Sequence, residues 1–132
     1  MTHTLHNIGV ASQIGLYSDA VEAGADLRWL LTSGTPGLPT DDTLPNDIAA
    51  QAEIAWQHIL HMLEKADMTC GDIVKVTQYL TRADDIKAYV KVRTKYLGAA
   101  RPASTLLVVP QLVWPEILVE VEIVAAKARP KA

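Results

Sequence analysis

Residues 118–126, Leu118-Val119-Glu120-Val121-Glu122-Ile123-Val124-Ala125-Ala126, limit the possible folds more than any other stretch. Successive side chains of a strand point to opposite faces, so Val119, Val121 and Ile123 share one face and Glu120 and Glu122 the other. One face belongs to a core, and the other carries two acids. Burying both in ionised form is costly. Two readings stay open. Either the acids lie on a solvated sheet face, or they line a cleft in which a carboxylate acts as general base on water. A cleft tolerates one such carboxylate better than two, because like charges push one pKa upward.

The remaining segments arrange themselves around this strand. Ile73-Val74-Lys75-Val76-Thr77-Gln78-Tyr79-Leu80 is β-branched in character. As a strand it puts Ile73, Lys75, Thr77 and Tyr79 on one face and Val74, Val76, Gln78 and Leu80 on the other. Residues 102–110 form a strand between two prolines, and Trp114-Pro115 lies in the connection to the last strand. Upstream, a short strand at Val21-Glu22, preceded by Tyr17-Ser18-Asp19-Ala20, is opened by Gly15. A weaker strand is possible before Tyr17. Leu27–Ser33 is a compact strand stopped by Gly34-Thr35-Pro36-Gly37. Between these runs lie two helices. In the first, Thr43 can cap, Pro45 suits the first turn and Asp47 complements the positive helix end. Ile48, Ala52, Ala55, Trp56, Ile59, Met62 and Leu63 form its buried face, opposite Gln51, Glu53, Gln57, Glu64 and Lys65, and it ends near Asp67. Arg82-Ala83-Asp84-Asp85 opens the second, whose inner stripe is Ile86, Tyr89, Val90, Arg93 and Leu97, and Gly98 stops it. The order β-β-β-α-β-α-β-β predicts an α/β fold with one mixed sheet and both helices on one face. The other sheet face, rich in Val, Leu and Ile, is then uncovered, which predicts a homo-oligomer.

The 132 residues make a single domain, and their 49% apolar content is high for its size, as an oligomer-forming face requires. With 12 basic and 15 acidic residues the net charge is −3, which gives no electrostatic reason for a nucleic-acid partner. No apolar run approaches the ~20 residues of a membrane helix. Met1-Thr2-His3-Thr4-Leu5 lacks the basic and apolar regions of a secretory signal. A soluble, cytoplasmic protein without a membrane partner is expected, with a polar tail, Lys127–Ala132, that frays. The single cysteine, Cys70, excludes a disulfide framework, sits in a turn without an obvious base, and reads as structural. His58 and His61 lie three apart on the first helix, but neither Glu53 nor Glu64 completes a metal motif, so they read as solvated or interface histidines. No phosphate loop, nucleophile elbow or dinucleotide fingerprint is present.

Two further positions stand out. Arg93 lies on the apolar stripe of the second helix, where a charge is either snorkelling at an edge or lining a cavity as an anion anchor. Gly34 ends a buried strand, as a tight turn or as a place of close backbone approach by a ligand.

The chain resembles the RidA/YjgF family of enamine and imine deaminases. The matching pieces are Gly15-Leu16-Tyr17-Ser18-Asp19-Ala20-Val21, Leu31-Thr32-Ser33-Gly34, Gln51, Asp72-Ile73-Val74-Lys75-Val76-Thr77, Tyr79-Leu80, Arg101-Pro102-Ala103-Ser104-Thr105 and Val119–Ala125. Their order and spacing together, from Gly15 to Lys127, carry the resemblance. It implies a chorismate-mutase-like fold, a homotrimer whose sheets pack into a central barrel, and small-molecule clefts between subunits. It also implies cofactor-independent hydrolysis of a reactive enamine or imine to a carbonyl compound and ammonia, with no metal. Tyr17 matches the family's cleft tyrosine, Glu120 the acid that positions or activates water, and Gly34 the glycine whose backbone faces the substrate. The family's carboxylate-binding arginine is replaced by Ser104, and the Cys or Thr-like position two further on is Leu106. A charged hydrogen bond is worth about 1.5–3 kcal/mol, so this loss weakens carboxylate binding on the order of 10²-fold. Arg93, or Arg101 in the loop before Pro102, could take over, with Arg93 preferred for its inward position. Ser104 and Thr105 offer hydroxyls where the arginine was. The expected substrate is therefore non-standard: an enamine lacking an α-carboxylate next to the imine, or a longer one such as an aminomuconate-like product. The alternative is a non-catalytic ligand-binding or chaperone-like trimer. The endoribonuclease label of some relatives is disfavoured by the acidity of this chain.

Overall fold

The β-branched segments pair with one another, and the helices between them close over one side. The computed structural model describes residues 3–130. Its strands are β1 (Thr4–His6), β2 (Ala20–Glu22), β3 (Leu27–Leu31), β4 (Thr35–Pro36), β5 (Ile73–Leu80), β6 (Ala103–Val108) and β7 (Val119–Ala128). The helices are α1 (Ile48–Lys65) and α2 (Ile86–Leu97). The main sheet has the order β3-β7-β5-β6, with β4 also paired to β7. Only the β5–β6 pair, joined through α2, is parallel, so the sheet is mixed as expected. The long alternating strand β7 is central and holds β3, β4 and β5. The weak strand before Tyr17 is β1, and it pairs with β2 in a separate two-stranded ribbon rather than joining the main sheet. β3 ends at Leu31 rather than at Ser33, and the stop read at residues 34–37 contains the two-residue β4, which was not expected.

Both helices lie over one face. Trp56, Ile59, Leu63, Tyr89 and Leu97 from the helices meet Val76, Leu80, Val119, Val121 and Ile123 from the sheet in one core. α1 starts at Ile48, later than Thr43. Asp47 is its cap, accepting from the Ala50 amide at 3.0 Å. Pro45 stays outside the helix, and its carbonyl accepts from Gln51 Nε2 at 2.7 Å. Gln51, assigned to the wet face, is fully buried. Its amide also reaches the Glu116 carbonyl (3.0 Å) and the Leu118 amide (2.8 Å), fastening the connection before β7 onto α1. Gly98 ends α2 at φ +57°, a conformation that a side chain disfavours.

Three further expectations are corrected. The alternation of β5 slips at its start: a register irregularity between Ile73 and Lys75 turns Ile73 into the core, while Lys75, Thr77 and Tyr79 keep the opposite face. The uncovered face exists, but it is mixed rather than rich in Val, Leu and Ile. It carries Lys75, Thr77, Tyr79, Glu120 and Glu122 beside the exposed Trp29, Leu31 and Leu107. The tail expected to fray from Lys127 is held as far as Arg129, whose amide donates to the Asp26 carbonyl at 3.0 Å. Met1, Thr2, Lys131 and Ala132 lie outside the described residues.

Candidate active site

A pinned loop places Tyr17 beside the free edge of β6. The Asp19 carboxylate accepts from the amides of Ile8 and Ala11, both at 2.8 Å, and these bonds hold its pKa below the usual carboxylate value. The buried Ser18 donates its hydroxyl to the Arg101 carbonyl (2.5 Å) and its amide to the Pro102 carbonyl (3.1 Å). Between this loop, α2 and β6 lies a cleft of about 500 Å³. Tyr17, Arg93, Ser104 and Thr105 line it together with Ile14, Gly15, Ile86, Val90 and Leu106.

Arg93 is only 6% exposed. Its Nη1 donates to Gln78 Oε1 at 2.9 Å, and its guanidinium lies 5.8 Å from the centre of the Tyr89 ring. Among the described residues no carboxylate pairs with it. Arg93 and Gly15 line the cleft together, and a Cβ at position 15 would stand at ordinary contact distance from the Tyr17 ring (3.4 Å) and Arg93 Nη2 (4.0 Å). A buried cation without a counterion that lines a cavity is a candidate anion site. Arg101 has a different task. Its guanidinium donates to the carbonyls of Gly98 and Ala100, both at 2.8 Å, just past the end of α2, and it does not line this cleft.

Gln78 is a participant that the motifs missed. It is fully buried on the core face of β5 and bonds Arg93, Tyr89, Ser104 and the Thr105 carbonyl. The signal was present: Gln78 interrupts the apolar set Val74, Val76, Leu80, and a buried amide requires partners.

Glu120 and Gly34 do not join this cluster. Glu120 stands on the open face of β7, opposite Tyr79 of β5. Ser104 and Arg93 meet Gln78 on the helix-covered side. Within one chain the acid and the arginine are thus separated by the sheet. Gly34 lies against the acid: a Cβ there would meet Glu120 Oε1, so a larger residue would push the carboxylate aside. Burial and, secondarily, the neighbouring Glu122 push the Glu120 carboxyl above its ordinary value. Glu122 is engaged by the Tyr79 hydroxyl at 2.6 Å, which leaves Glu120 as the uncommitted acid of the pair. Thr105 takes part on both sides, with its carbonyl on Gln78 and its hydroxyl receiving Lys75 Nζ at 2.7 Å.

The other candidates are occupied elsewhere. His58 Nε2 bonds the Leu38 carbonyl at 2.8 Å, and His61 is exposed. Among the described residues no three His, Cys, Asp or Glu side chains gather as a metal site, and no helix is long and apolar enough to cross a membrane. Burial raises the Cys70 thiol pKa, which keeps it protonated and unreactive. A second hollow of about 390 Å³ near Trp114 has Arg82 at its rim, but that arginine is solvent-exposed and already paired with Asp85 at 2.8 Å.

The family model described as endoribonuclease L-PSP matches residues 9–127. The chain belongs to the RidA/YjgF family. A RutC family protein of Pyrococcus horikoshii is 32% identical over 86% of this chain and 89% of its own length. The 2-iminobutanoate/2-iminopropanoate deaminase of Escherichia coli is 28% identical over 96% of this chain and 99% of its own. RidA/YjgF relatives at this level of similarity therefore include imine deaminases. Among solved structures, the Rid-family protein YyfB of Yersinia pestis superposes with a TM-score of 0.84 at 23% identity, covering 96% of this chain and all of that one. A Mycobacterium tuberculosis member of the YjgF/YER057c/UK114 family is 31% identical with a TM-score of 0.66, covering 93% and 98%. The RidA/YjgF fold is thus shared along nearly the whole chain. Ser104 and Leu106, where the resemblance implied a departure from the family pattern, line the same cleft as Arg93 of α2.

Proposed function

We propose that this protein hydrolyses a reactive enamine or imine that carries a carboxylate. The observation that carries the proposal is Arg93, a buried guanidinium without a counterion among the described residues that lines a cleft. Water adds across the C=N bond of the imine, giving a carbinolamine, which expels ammonia and leaves a C=O group. The net change is one water consumed and one ammonia released, so no cofactor is required. Glu120 takes the proton from water as carbon is attacked, and its raised pKa makes the carboxylate a stronger base than an ordinary glutamate. Tyr17 orients the substrate, Arg93 binds its carboxylate, Ser104 and Thr105 supply hydroxyls, and the Gly34 backbone lies beside the acid.

Because Glu120 and Arg93 occupy opposite faces of one sheet, the reaction requires Glu120 from one subunit and Arg93 from another. The exposed Ile8, Val10, Ile14 and Leu16 near the cleft and Trp29 and Leu31 on the open face support such an assembly, which we read as a homotrimer. The endoribonuclease description of the family model fits this chain less well. A narrow cleft with one buried guanidinium suits a small anion, whereas RNA binding calls for a basic surface track.

The test is ammonia release from 2-aminoacrylate generated in situ, then from longer enamines. Activity on at least one, lost in Glu120→Gln and in Arg93→Gln, is expected. No ammonia from any of them favours the non-catalytic ligand-binding reading, to which the replacement of the family's arginine by Ser104 already gives weight.

A further inference from the structure

The orientation of one buried amide determines what the cleft binds. Arginine only donates, so the Gln78 atom facing Arg93 Nη1 (2.9 Å) is Oε1. A carbonyl only accepts, so the atom facing the Thr105 carbonyl (2.8 Å) is Nε2. The flip state of the side chain is therefore fixed by its partners. The Tyr89 hydroxyl, receiving Trp56 Nε1 at 3.3 Å, donates to the same Oε1 at 2.8 Å. The second proton of Nε2 goes to Ser104 Oγ at 3.0 Å. Ser104 thus accepts from inside the fold, and its own proton is left for the cleft that it lines. Gln78 presents two donors there together, the guanidinium of Arg93 and the hydroxyl of Ser104.

We infer that Arg93 and Ser104 form a carboxylate subsite aligned by Gln78, and that its ligand is a monocarboxylate with an apolar body of several carbons. This rests on reading the cleft as the substrate site. Arg93 is the only charged residue that one chain contributes to the lining, and a single guanidinium matches a single carboxylate. Ile86, Val90 and Leu106 form the adjoining wall, and a chain of methylene or methyl groups gains from burial against them. On one chain the cleft measures about 500 Å³, within the range of about 300–1,000 Å³ typical of small-molecule sites, which accommodates an acid of several carbons. Gln78 touches no ligand and is a positioning residue.

The experiment uses the intact protein and three stable probes, 4-methyl-2-oxopentanoate, pyruvate and the neutral 4-methyl-2-pentanone, with binding measured by calorimetry or ligand-detected NMR. The wild type should bind the six-carbon acid more tightly than pyruvate and far more tightly than the ketone. Gln78→Glu gives Arg93 an internal counterion and turns the Ser104 proton inward. It should weaken binding of the acid by on the order of 10²-fold and leave the ketone unaffected, a split that a merely structural role does not produce. Ser104→Ala, on the cleft wall, should cost about tenfold for the acid and serves if Gln78→Glu does not fold. The inference is overturned if the wild type does not bind the acid, binds acid and ketone equally, or binds pyruvate as well as the longer acid, or if the folded variants bind the acid like the wild type. Acid binding without ammonia release from any enamine leaves the subsite standing and removes the deaminase reading. Ammonia release that survives unchanged in Gln78→Glu does the reverse.

Discussion

Arg93 and Glu120 show how single side chains are held at a cost to the fold. A guanidinium taken out of water without a carboxylate partner loses hydration that one bond to a neutral amide does not replace. Arg93→Met should therefore keep the urea midpoint or raise it, while carboxylate binding disappears. A loss of about 1–3 kcal/mol, the cost of a broken buried hydrogen bond, would instead make Arg93 structural. For Glu120 the sign follows from linkage. Its folded pKa lies above its ordinary 4.5, so the folded state holds the proton more tightly than the unfolded chain. Stability from this group falls as pH rises from about 4.5 through the raised folded value. Glu120→Gln should then melt at a higher temperature than wild type at pH 7, with the gap closing on acidification, and in activity the base form should appear as pH passes the raised value. Thermal melts and rates across pH check both. The sequence marked Arg93 as a misplaced charge and Glu120 as one of two acids sharing a face. It did not mark Gln78, because a lone amide in a strand is ambiguous until its partners are known.

Among the elements, α2 and β6 form the cleft, and α1 holds α2 through the bond from Trp56 to Tyr89. α1 is capped by Asp47 and anchored to the sheet by Ile59, Trp56 and Leu63. Asp47→Ala should cost about 0.5–2 kcal/mol in chemical denaturation. Ile59→Ala should cost about 2–5 kcal/mol, because the site is fully enclosed. If the two cost the same, the assignment of α1 stability to its buried face would fail. The helix stripes, the strand spans and the Gly98 stop were legible because 3.6- and 2-residue periodicities are local properties. Gln51 was misplaced for the opposite reason. Its helical position borders the polar face, and only the chain segment at Glu116-Ile117-Leu118 folding back makes it an interior residue. The slip at Ile73 and the pairing of β4 likewise depend on partners far away in sequence.

At the scale of the whole molecule, the sheet separates the two halves of the proposed site. Mixed oligomers, made by refolding Arg93→Gln with Glu120→Gln together, should recover a fraction of the activity that neither variant has alone. Ammonia release from the mixture, with light scattering to verify the trimer, measures this. No recovery in a mixed trimer would place both groups in one subunit. The sequence by itself determined the α/β order, the two helix stripes, the shared face of Glu120 and Glu122 and the family, since each rests on residue spacing along the chain. Only the tertiary structure decided that Arg93 and not Arg101 lines the cleft, that Gln78 governs it, and that Glu120 faces away from it. Those facts depend on which side of a sheet distant segments pack against, and spacing along the chain carries no record of that.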